Sequence, residues 1–183
     1  MDERICYFFS FLIEGLVFWN YVSILFVPKY STKIRFVCLS SGFFILFLSS
    51  LHNVFLLNCI LYTTVCFLYL IFLYKTSWYY ALFHSLLFEV LTGACELPVY
   101  SFLSTFLTSA SLRAADFHLK LLFAVMSKTL FFAVMSVLLL WLKKRQKPFL
   151  QYDKSVFFTI LIPFIAQIIV LILIAVCDST AMT

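Results

Sequence analysis

Four charged side chains stand out because of where they sit. Glu14, Glu89, Glu96 and Lys128 each lie inside a long apolar run of a 183-residue chain that is 64% hydrophobic and 11% charged. A charge at the centre of a bilayer costs about 2.5–3.5 kcal/mol or more, so such groups turn into a bundle interior and find partners there. The stretch from Phe88 to Phe102, FEVLTGACELPVYSF, holds two of the carboxylates. On a helix, Ser85, Glu89, Thr92, Gly93, Glu96 and Tyr100 share one stripe, so the polar groups of this segment are expected on one face. Three carboxylates against one ammonium leave an excess. At least one glutamate is therefore expected to be protonated, or hydrogen-bonded to Ser, Thr or Tyr. Two roles are open. The network fixes helix packing, or it has two arrangements and serves as a pivot that responds to an external ligand.

A second pattern carries different chemistry. His52 and Cys59, in HNVFLLNC, stand seven residues apart. A thiolate–imidazole pair would make a nucleophile. The other cysteines, Cys6, Cys38, Cys66, Cys95 and Cys177, form no CxxC pair. They are read as small apolar packing residues, with a Cys6–Cys177 disulfide as the alternative. No metal site and no cofactor are expected.

The elements that must position these groups are membrane helices. Mean hydropathy is +1.09, with 24 Phe, 3 Gly and 4 Pro. Apolar runs of about 18 residues or more recur along the chain, the pattern of spanning helices. The expected fold is all-α: a polytopic protein of the cell membrane, one domain over residues 1–183, with six transmembrane helices. The spans are expected near 4–27, 34–51, 54–74, 79–107, 119–142 and 155–177. His52-Asn53 marks a tight turn, and Pro98 is expected to kink the fourth span or end it. The start, MDERICYFF, lacks the basic lead and small-residue cleavage site of a signal peptide, so the first run is expected to be retained.

Basic residues orient the bundle. Lys29, Lys33, Arg35, Lys75, Lys143, Lys144, Arg145, Lys147 and Lys154 fall in one set of connections, and Arg4 and Arg113 in the other, with Lys120 at a helix edge. Positive charge stays inside, so the N-terminus is expected outside. Trp78, Tyr79, Trp141 and Tyr152 then anchor the inner ends. At 1.5 Å per residue, Glu89 stands about 16 Å and Glu96 about 27 Å above the inner boundary. Lys128 comes to about 21 Å, Glu14 to about 20 Å and Gln167 to about 18 Å. The expected network is Glu14, Glu89, Glu96, Lys128 and Gln167. His84 is expected to pack or hydrogen-bond. Asn20, Asn53 and Asn58 are expected to bond between helices, and Gln167 to serve a carbonyl freed by Pro163. KKRQK is read as an inside anchor, with anionic headgroups as a further partner.

The order of these landmarks resembles a known group: the N-terminal membrane sensor region of histidine kinases with a GHKL-type ATPase domain, which includes the accessory-gene-regulator peptide-pheromone receptors. The matching pieces are YVSILFVPKYSTKIR after the first span, LLN opening the third, KTSWYYALFHSLLFEVL leading into the fourth, Glu96 in its apolar setting, and SKTLFF in the fifth. The resemblance runs over nearly the whole chain. It implies an input domain that receives an extracellular signal, often a secreted peptide, and passes it to a cytoplasmic kinase domain within a homodimer. The chain departs from the group by lacking a phosphoacceptor-histidine segment, an Asn-rich ATP-binding box and a glycine-rich lid. It is therefore not expected to be an enzyme itself, but a truncated sensor or a fragment ending before a seventh span.

Two other functions compete. A pheromone-processing membrane cysteine peptidase would use His52 and Cys59, although LSSL, not a Gly-rich lead-in, precedes His52. A substrate-binding membrane subunit of a vitamin-type importer would match in size. The lipid bilayer is the expected surround in each case, and no nucleic-acid partner is expected.

Overall fold

The computed structural model describes residues 2–52, 55–106, 117–145 and 165. Among them are five long helices and no strand: α1 Asp2–Leu25, α2 Thr32–Ser50, α3 Phe55–Leu73, α4 Trp78–Phe106 and α5 Phe117–Arg145. Their bounds fall within about three residues of the first five expected spans. Of the sixth, 155–177, position 165 alone is described; Pro163, Gln167 and Cys177 lie outside the described residues, as do Asn53, Lys147, Tyr152 and Lys154. Among the described residues four segments are long and apolar enough to cross a membrane: Arg4–Leu25, Thr32–Ser50, Trp78–Val99 and Leu121–Leu140. Leu57–Leu73 is apolar but shorter. A helix suits such sequences because it satisfies its backbone groups internally where no water can. Pro98 does not end α4, which continues through it to Phe106.

Each helix packs on the next, and α5 returns to α1. The described helices thus close a ring of five in which α1 and α5 run parallel. The inward stripes repeat at helical spacing: Glu14, Val17, Phe18, Tyr21 and Val22 on α1, and Arg35, Leu39, Phe43, Leu46 and Ser50 on α2. Phe18 centres an aromatic core. Its ring lies 4.9 Å from Phe88, 5.6 Å from Tyr69 and 6.2 Å from Phe43. Phe88 in turn meets Phe131 at 5.2 Å, edge to face, so one cluster joins all five helices.

Small residues set the spacing of α1, α2 and α3. A Cβ added at Gly42 would stand 2.8 Å from Val65 Cγ1, and one at Gly15 would rest on the Phe43 ring at 3.4 Å. At one end of the ring the α1–α2 and α3–α4 connections are sewn together. The Lys29 amide donates to the Leu73 carbonyl and the Lys75 amide to the Val27 carbonyl, each at 2.9 Å, and Lys29 Nζ donates to the Ile71 carbonyl at 2.7 Å. Polarity is distributed inside out. Glu14, Arg35, His84, Glu89 and Lys128 are buried, whereas Leu16, Phe44, Phe72, Phe132 and Leu140 are exposed. An apolar exterior around a charged interior suits hydrocarbon surroundings.

Candidate functional site

The charged centre forms where α1, α4 and α5 meet. Glu14 lies on the buried stripe of α1, four residues before Phe18. Lys128 sits on α5 beside buried Ser127 and three residues before Phe131. Glu96 follows buried Cys95 on α4. The Lys128 ammonium donates to Glu14 Oε1 and to Glu96 Oε1 at 2.5 Å, so one cation holds two carboxylates from two other helices. The three are not equally enclosed. The side chains of Lys128 and Glu14 are 5% exposed and that of Glu96 is 40% exposed. Attraction between buried charges is largely offset by their desolvation, but removing one partner strands the other.

Glu89 does not join this triad. Its Oε2 accepts a hydrogen bond from Thr63 Oγ1 on α3, and the Cys59 thiol lies against the same carboxylate. One turn along α5 from Lys128, the Phe131 ring fills the α4–α5 seam against Phe88, at the level of Glu89. Lys128 is left with the carboxylate two turns further along α4. Of the expected network, the structure brings together Glu14, Glu96 and Lys128, turns Glu89 toward α3, and does not describe Gln167.

Beside the triad stands Tyr62 of α3. Its hydroxyl faces Glu14 and Thr92 without a well-formed hydrogen bond to either, and the residue is only 7% exposed. Thr92 Oγ1 donates to the Phe88 carbonyl at 3.0 Å and Ser85 Oγ to the Ala81 carbonyl at 2.7 Å, each serving its own helix.

Other polar groups occupy separate places. The Tyr21 hydroxyl and His84 Nδ1 are 2.5 Å apart, so His84 hydrogen-bonds within the bundle. Ser49 Oγ donates to Asn58 Oδ1 at 2.9 Å, linking α2 and α3. Asn20 is exposed and lines an otherwise apolar recess of about 220 Å³ between α1 and α5, together with Ser136. His52 lies on the exposed turn after α2, and the titratable neighbours of Cys59 are Glu89 and Glu96, not His52. No contact joins the peptidase pair. Among the described residues no cluster of three or more His, Cys, Asp or Glu could hold a metal.

Arg35 is a site that sequence reasoning missed. Counted with the loop charges, it is in fact buried in the first turn of α2. Its guanidinium donates to the Tyr74 hydroxyl at 2.9 Å and to Thr32 Oγ1 at 3.2 Å. It also lies 5.0 Å from the Trp19 ring and 5.4 Å from that of Tyr74, a cation–π cradle. A signal was present. Arg35, Leu39, Phe43, Leu46 and Ser50 form one stripe at i+4, i+8, i+11 and i+15, so Arg35 begins the inward face.

Comparison with known proteins finds no matching family model, no matching curated protein and no matching solved structure.

Proposed function

We propose that this chain is a membrane-embedded signal-input domain whose charged centre couples events at the N-terminal end of the bundle to the opposite end. The observation that carries this reading is the three-helix bond of Lys128 to Glu14 and Glu96. Packing alone is served by the aromatic core, which already joins all five helices. Two carboxylates competing for one enclosed ammonium, one of them half-exposed, make an arrangement that an external event can bias. The resemblance to GHKL-type sensor regions supports the same role. It adds the finer features of the proposal: six spans, an external N-terminus, an extracellular peptide or similar signal, and a kinase domain on the cytoplasmic side. Separation of His52 from Cys59 gives the peptidase reading no support, and no observation favours an importer subunit.

The test is a promoter readout of the response to spent medium in the host strain. In-frame deletion of the coding region is expected to abolish the response. K128M, at unchanged membrane abundance, is expected to fix the response on or off whatever the medium. A deletion strain that responds like its parent rejects the input role.

A further inference from the structure

We infer that the recess between α1 and α5 is the docking groove for residues 155–177 of the same chain. They enter it as a helix antiparallel to both walls and present Ser155, Thr159, Pro163 and Gln167 to it. The inference rests on the sixth span proposed above and not on the input role.

Two parallel helices line the recess at helical spacing, with Ile13, Val17 and Asn20 on α1 and Phe132, Ser136 and Leu139 on α5. It therefore follows the helix axes for about two turns, a groove of the kind that takes the side-chain ridge of a third helix. Among the described residues neither the Asn20 nor the Ser136 side chain makes a hydrogen bond. Asn20 is exposed, and hydrocarbon offers an amide no partner.

The sequence of 155–177 supplies the complement. It carries no charged residue, and Ser155, Thr159, Pro163 and Gln167 recur at every fourth position. On a helix they form one row. Pro163 has no N–H, so the Thr159 carbonyl lacks its intrahelical donor. Gln167 stands about 12 Å further along and is out of its reach. The Asn20 amide and the Ser136 hydroxyl are donors at a matching level. Above the boundary that the spans share, Asn20 stands at about 10 Å, Ser136 at about 9 Å and Thr159 at about 6 Å, with its carbonyl directed on toward Pro163. Position 165 falls on the opposite side of the helix from this row, about 160° from both Pro163 and Gln167. In the structure Ile165 is helical and 47% exposed, as the lipid side of such a helix should be.

Chain connection favours this occupant over others. The helices α1 and α5 end on the same side of the ring, and α5 closes at Arg145. The connection 146–154 reaches up to about 30 Å, against about 8–10 Å between packed helices. The segment thus meets the groove at a high effective concentration, ahead of a second copy. A lipid acyl chain fits the apolar walls but leaves the Asn20 amide unbonded.

Disulfide trapping in native membranes tests this, with cysteine pairs placed in a cysteine-free full chain. After oxidation by copper phenanthroline the protein is denatured, and a polyethylene glycol maleimide marks the thiols left free. N20C/T159C and S136C/T159C are each expected to lose the label while migrating as monomers, because a disulfide needs Cα atoms within about 7 Å. S136C/I165C, with its second thiol on the far side, is expected to keep it. Label retained by both Thr159 pairs overturns the inference. Disulfide-linked dimers would place a second copy in the groove and also overturn it. An impermeant maleimide applied to T159C in opened, undenatured membranes separates the two readings. Modification there rejects the sixth span itself, whereas protection with neither pair linked keeps the span and rejects the groove. No signalling enters either readout, so the input role is tested separately.

Discussion

The behaviour of Lys128 follows from what surrounds a single ammonium. It has two carboxylate partners and almost no exposed surface. K128M keeps the length of the side chain but strands Glu14 in an enclosed place, and a loss of about 3–5 kcal/mol is expected. Equilibrium unfolding in a mixed-micelle denaturant titration measures it. E96Q is expected to lose less than half as much, because the half-exposed carboxylate has lost less hydration on folding and the amide still accepts from Lys128. Tyr62 sets the opposite sign. Its hydroxyl is buried without a well-formed hydrogen bond, so Y62F is expected to leave stability unchanged or raise it by up to about 1 kcal/mol, in the same titration. A loss of about 2 kcal/mol or more would mean that the hydroxyl does have a partner.

At the scale of helices, close approach is set by glycine. G42A places a methyl 2.8 Å from Val65 Cγ1. Val65 is β-branched and cannot swing aside freely, so a loss of about 1–3 kcal/mol is expected, and V65A on the other helix is expected to restore part of it. The same titration, run on the two single variants and the double, tests the rescue. Helix extents were legible in the sequence because apolar runs and the turns at His52 and Lys75 mark them directly. Depth was legible for Glu14, Glu96 and Lys128, since rise per residue converts position into height. Rotation and filling were less so. Height put Lys128 between Glu89 and Glu96, but the Phe88–Phe131 contact closes the lower side, and no single helix reveals which neighbour's ring will stand there. Arg35 was misjudged for a related reason. Counting basic residues assigns an end of the bundle, not a face, and the face was visible only by following its stripe to Ser50.

On the scale of the molecule, the ring of α1 to α5 closes between its first and last described members, α1 and α5. Apolar recess and ion pair share that seam, with Ile13 and Val17 lining one and Glu14 forming the other. The proposed orientation has its own check. Single cysteines introduced near position 3 and at Lys144, in a cysteine-free background, are expected to react with an impermeant maleimide from outside at the first site and only after permeabilisation at the second. The reverse pattern rejects the orientation. The central claim is that Lys128 and Glu14 bond across the α1–α5 seam. A double-mutant cycle over K128M, E14Q and K128M/E14Q, read by unfolding free energy, tests it most directly. A coupling of about 1.5 kcal/mol or more is expected, with the double variant more stable than K128M alone. Additivity within about 0.5 kcal/mol would contradict the bond.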